Sequence, residues 1–137
     1  MSTRPKVLEF AIDLAADGAL SAENCPPIEL PDEWTAEHLL LAAVARCSLS
    51  SLRYHARRAN IQAEASATAA GTVTKRESDE RYAFVEIECL CEVELDPLPA
   101  ADEVRPLLER AERDCFIGAS LTTPLRFVWR VNGSPVG

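Results

Sequence analysis

Nowhere does this 137-residue sequence hold an apolar run of about 18 residues, the length a membrane-spanning helix requires, so no segment is expected to cross a bilayer. Basic residues are scarce: 14 Lys+Arg stand against 22 Asp+Glu, a net charge of −8. That balance excludes the basic face needed to bind a phosphate backbone and the polybasic patch that docks on anionic lipid. Neither nucleic acid nor membrane is therefore an expected partner. The opening residues Met1-Ser2-Thr3-Arg4-Pro5-Lys6 lack the apolar core of a secretory signal, which predicts a reducing, cytoplasmic location. There is no internal repeat, low-complexity segment or linker. The length predicts a single domain over residues 1–137, with a core large enough to need no disulfide framework.

What is present is a clear alternation of patterns. Between Val7 and Leu14 the even positions Leu8, Phe10, Ile12 and Leu14 form an apolar face with period two, and Asp17-Gly18 marks a turn. Ala19–Ala22 then reads as the returning strand of a hairpin. Proline punctuates Cys25–Pro31, which predicts a loop or short edge strand. A run without Gly or Pro follows, with Thr35 as N-cap, Glu37 in the first turn and an end near Asn60. Leu39–Val44 is apolar all round, as in a helix buried on most sides, whereas Arg53, His55, Arg57 and Arg58 predict a second half that emerges into solvent. Strands are expected over Ile61–Lys75 and Tyr82–Leu95, turning at Lys75–Arg81, then a helix over Ala101–Arg113 and a closing strand over Thr122–Val131. The order β-hairpin, long helix, β-hairpin, helix, strand is α+β with largely antiparallel sheets. The apolar half of the long helix needs two covers, and a second copy of the chain is the natural supplier of one.

Five cysteines carry the chemical question: Cys25, Cys47, Cys89, Cys91 and Cys115. In a reducing compartment cysteines are buried, catalytic or metal-bound rather than stapling a fold. Cys89 and Cys91 point to one face of a strand beside Ile87 and Val93, which predicts buried thiols. A zinc site needs a second ligand pair, and the only histidines, His38 and His55, lie seventeen residues apart without ligand spacing, so no metal is expected. Cys25 reads as a spare loop thiol. Cys47 falls in the apolar part of the long helix, and Cys115 falls where the chain leaves the second helix. Each on its own reads as a small hydrophobe, and spacing does not say that they meet.

The segment Pro31-Asp32-Glu33-Trp34-Thr35-Ala36-Glu37-His38-Leu39-Leu40-Leu41-Ala42-Ala43-Val44-Ala45-Arg46-Cys47 resembles the first signature of the OsmC/Ohr family, in which an acidic residue precedes a cysteine by ten positions. Ala111-Glu112-Arg113-Asp114-Cys115 resembles the second, with Phe116 where the family often carries proline. The element order agrees over nearly the whole chain. The resemblance implies an OsmC-like α+β fold, antiparallel sheets wrapped around a long central helix, in an intertwined homodimer. It implies a thiol-dependent peroxidase acting on organic or fatty-acyl hydroperoxides. Cys47 would be the peroxidatic thiolate and Cys115 the resolving thiol, with a sulfenic acid and then a Cys47–Cys115 disulfide as intermediates. No bound cofactor is implied; an external dithiol such as a lipoyl group would restore both thiols. The family sets an arginine from its N-terminal strands beside the thiolate, anchored by the acidic residue. Glu37 matches that acid, and Arg4 is the only arginine before residue 45, lying outside the expected hairpin. Ten residues along one helix separate Glu37 from Cys47 by about 15 Å, so cooperation between them requires the partner chain or a bridging arginine. A rival reading keeps the fold without catalysis, as a protein that binds a small apolar or acyl ligand in the dimer crevice.

Overall fold

The computed structural model describes residues 4–136 of the chain, which forms two compact units, Met1–Ala36 and Glu37–Gly137. In the first, the expected hairpin is present but short. Strand β1 (Ile12–Leu14) pairs antiparallel with β2 (Leu20–Ala22), and Gly18, at φ +91°, supplies the left-handed backbone of the turn. Leu20 also bridges Ile28 in the proline-rich loop. Val7, Leu8, Phe10, Ile12 and Leu14 are all exposed, so the apolar face read from the sequence stands uncovered.

Helix α1 spans Ala36–Arg58. It ends on Asn60, a left-handed residue at φ +59°, with Asn60 N–H donating to Arg57 O and Ile61 N–H to Ala56 O. This is the paired hydrogen-bond closure that asparagine tolerates at a helix end. Strands β3 (Gln62–Lys75) and β4 (Tyr82–Asp96) form the expected antiparallel hairpin, with Arg76 paired to Asp79 across its turn. Helix α2 covers Ala101–Arg113, as expected. A short helix α3 (Phe116–Ser120), β5 (Leu125–Val131) and β6 (Ser134–Val136) complete the chain.

The main sheet has the order β3-β4-β5-β6, and three of its features depart from the sequence reading. The β4–β5 pair is parallel, because α2 and α3 carry the chain back across the sheet between them. A further strand, β6, follows the two-residue turn Asn132-Gly133, both residues at positive φ, as such a turn requires. A bulge also breaks the alternation along β4. Thr72 pairs with Glu86 but Val73 pairs with Phe84, so Val85 is passed over. Phe84 packs towards the core and Val85 is exposed, the reverse of the face expected from strict period two.

From Ile87 onward the alternation holds, and Ile87, Cys89, Cys91, Val93 and Leu95 are buried. Against this one face of β4 pack Val44, Leu49, Leu52 and Ala56 of α1 and Val104, Leu107, Leu108 and Ala111 of α2. Trp129 joins them from β5 and donates its indole N–H to Glu112 of α2 at 2.8 Å. The two helices thus share one side of the sheet, and the end of α2 is brought against the middle of α1.

Candidate functional site

Cys47 sits at the centre of α1 and is half-buried. Cys115 is fully buried at the junction between α2 and α3, where its sulfur caps α3 by accepting the Gly118 N–H at 3.4 Å. The Cys47 thiol lies near enough to Cys115 to influence its ionisation. Glycine at 118 permits the close packing: a Cβ there would stand 3.5 Å from Cys115 Sγ and 2.9 Å from Leu125 Cδ1. Burial pushes the Cys115 thiol above its ordinary value; contact with Cys47 adds to the rise, and the Gly118 N–H offsets part of it. Cys115 is therefore held as a neutral thiol.

Ser48 is the residue that organises this cluster. It is fully buried, and its hydroxyl donates to Val44 O at 2.7 Å. Its oxygen lies 3.8 Å from Cys115 Sγ. The one hydroxyl proton follows the shorter bond, so Ser48 faces the sulfur as an acceptor and the Cys115 S–H donates to it. Ser48 also helps to lower the Cys89 thiol. Cys89 and Cys91, buried as expected, have their sulfurs 3.7 Å apart. The Cys91 contact lowers Cys89 below the ordinary thiol range, while the same contact and burial raise Cys91. Cys25 is exposed in its loop, as expected.

The other residues singled out in the sequence stand elsewhere. Glu37 is exposed in the first turn of α1, where an acid suits the positive end of the helix dipole. Within one chain it is about 15 Å along the axis from Cys47. Arg4 is exposed ahead of β1, in the first compact unit, whereas Cys47 belongs to the second. Arg46 is exposed and faces an open groove of about 460 Å³ that it shares with Ala42, Leu49 and Arg53 but not with Cys47. Among the described residues no His, Cys, Asp and Glu group has the geometry of a metal site. No helix there is long and apolar enough to cross a membrane.

His55 departs from the sequence reading. It stands among the arginines that emerge into solvent, yet its side chain is only 12% exposed and its Nε2 is 2.7 Å from Asp114 Oδ2. One turn away, Ser51 donates to Ala111 O at 2.8 Å. The signal in the sequence was the spacing of Ser48, Ser51 and His55, a polar stripe on an otherwise apolar helix face.

Fold and site together define a class: a small α+β thiol protein with one cysteine midway along a long helix and another at the end of a second one. A family model described as OsmC-like protein matches residues 30–130, and the chain belongs to that family. Similar folds include an OsmC-like protein of unknown function from Vibrio cholerae, with TM-score 0.71 and 13% identity over 82% of this chain and 83% of that one. An organic hydroperoxide resistance protein from Elizabethkingia anophelis has TM-score 0.67 and 17% identity over 94% and 100%. An OsmC-like protein from Mycoplasma pneumoniae has TM-score 0.68 and 15% identity over 93% and 99%. At these identities the likeness is one of fold. No curated protein matches the chain.

Proposed function

We propose that this chain is a thiol-dependent peroxidase that reduces organic hydroperoxides and so contributes to an oxidative stress response. The Cys47 thiolate attacks the distal oxygen of ROOH; the O–O bond breaks, Cys47 becomes a sulfenic acid and ROH leaves after taking a proton. Cys115 then attacks the sulfenic sulfur, forming the Cys47–Cys115 disulfide and releasing water. An external dithiol, such as a lipoyl group, exchanges with that disulfide, taking up its oxidation and returning two thiols. The observation that carries the reading is that Cys47 and Cys115, 68 positions apart in the chain, lie near enough for one thiol to raise the other.

Arg4, the only arginine before residue 45 although it lies outside the hairpin where the family carries its own, is the candidate cation to offset the Cys47 thiolate, with Glu37 as its anchor. The helical separation of Glu37 from Cys47 makes the partner subunit's Glu37 the simpler source, so the reading includes a cytoplasmic homodimer. The exposed apolar face of the β1–β2 hairpin supports such an assembly.

Stoichiometric cumene hydroperoxide tests the proposal. The wild type is expected to lose two thiols as one Cys47–Cys115 disulfide, and Cys115→Ser to accumulate a sulfenic acid trapped by dimedone. Cys47→Ser should consume peroxide no faster than free cysteine, and Arg4→Ala should slow the first step only. Wild-type thiols that persist at the rate of free cysteine would sink the enzyme reading. The rival, a non-catalytic acyl-binding protein, is favoured by Phe116, exposed beside Cys115 where the family often has proline. It expects saturable fatty-acid binding with both thiols intact.

A further inference from the structure

Ser48, Ser51 and His55 are spaced three and four residues apart, so they form one stripe along α1. Each meets a different group at the end of α2. Ser48 Oγ lies 3.8 Å from Cys115 Sγ, Ser51 Oγ donates to Ala111 O at 2.8 Å, and His55 Nε2 lies 2.7 Å from Asp114 Oδ2. A carboxylate only accepts, so Nε2 carries the hydrogen and the τ-nitrogen of His55 is the donor. The Asp114 N–H in turn closes α2 on Arg110 O. Around this stripe the packing is apolar, with Leu52 and Ala56 on α1 and Leu107, Leu108 and Ala111 on α2.

Apolar packing is non-directional and tolerates a helix sliding or turning by a fraction of a residue. Hydrogen bonds with defined lengths and angles do not. Two of the three polar contacts, those of Ser51 and His55, lie on the residues that lead directly into Cys115, and neither touches a thiol.

We infer that Ser51 and His55 are positioning residues: by gripping Ala111 and Asp114 they fix the α2 terminus in register on α1 and hold the Cys115 thiol at Cys47. They raise the effective concentration of one thiol at the other, which makes the disulfide harder to reduce. The inference rests on the proposed Cys47–Cys115 redox couple but not on any peroxide chemistry.

The full-length protein equilibrated in graded glutathione redox buffers tests it, with the Cys47–Cys115 disulfide quantified by acid quench, alkylation and peptide mapping. Thermal midpoints are recorded for every variant. His55→Leu removes the donor, whereas His55→Gln keeps an amide N–H to offer Asp114. The disulfide equilibrium constant of His55→Leu should fall roughly tenfold, about 30 mV for a two-electron couple, and that of Ser51→Ala severalfold, with His55→Gln close to wild type. Equal constants in wild type, His55→Leu and Ser51→Ala, with only the thermal midpoint lowered, overturn the inference, because the contacts would then be structural alone. Should His55→Leu fail to fold, Ser51→Ala measured against wild type carries the same comparison. A wild type that forms no Cys47–Cys115 disulfide at any buffer ratio overturns both this inference and the peroxidase reading. A wild type inert to peroxide whose disulfide still weakens in His55→Leu overturns the peroxidase reading alone.

Discussion

Cys115 and Ser48 show how much one buried contact decides. The Cys115 sulfur is shut away from solvent, so its charged form loses hydration that one Gly118 N–H only partly replaces. Thiolate absorbance in the ultraviolet, compared between wild type and Cys115→Ser, should place the Cys115 midpoint above the ordinary thiol range of about 8.5. A midpoint at or below that range contradicts the buried neutral thiol. The linkage has a definite sign. The folded state holds Cys115 protonated beyond the point at which the unfolded chain ionises. The resulting stability is present in full below the unfolded thiol pKa and is lost as pH rises towards the folded one. The sequence made both cysteines visible as candidates. It gave no hint that Ser48 meets Cys115, because the two come from different elements.

At the scale of elements, local signals were read well wherever the chain obeys a single period. Helix α2 has the bounds expected of it, and α1 and β3 differ by a residue or two at their ends. The bulge at Val85 was invisible because it inserts one residue without changing the composition of β4. Gly71, paired with Ile87 next to the bulge, makes room for the inward ring: a Cβ there would lie 2.7 Å from Phe84 Cε1 and 3.1 Å from Glu86 O. Phe84, turned inward by the bulge, thus rests on bare backbone. Gly71→Ala should cost about 1–3 kcal/mol in urea unfolding, since a ring and a carbonyl must both move. An unchanged midpoint would show that the ring has another place to go. The Asn132-Gly133 pair is a hairpin signal that the sequence reading passed over, and Asn132 ties this turn back to β4 through hydrogen bonds with Leu95.

At the scale of the molecule, the exposed apolar N-terminal face calls for a cover. Phe10 is 79% exposed and Ile12 and Leu14 about two-thirds so, in a hairpin of six paired residues. A two-stranded hairpin of this size is marginal alone in water. A second copy is the proposed cover. Sedimentation equilibrium at micromolar concentration should therefore give twice the 15.0 kDa chain mass, and Phe10→Asp should shift the population towards monomer. A monomeric wild type would remove the basis for assigning the partner subunit's Glu37 to the site.

The sequence by itself determined the α+β order, the family resemblance and the two cysteines worth watching, because period, capping and motif spacing act over a few neighbouring residues. Tertiary structure decided the parallel β4–β5 pair, the inversion at Val85 and the role of His55. It also decided that Cys47 and Cys115 lie near enough to influence one another. Each of these depends on what a residue touches across the fold, and contact between distant segments leaves no trace in local spacing. The scarcity of basic residues is sharpened by the same structure. A −8 chain has few cations to spare for a thiolate, and Arg46, next to Cys47 in sequence, is turned by the helix to a different face.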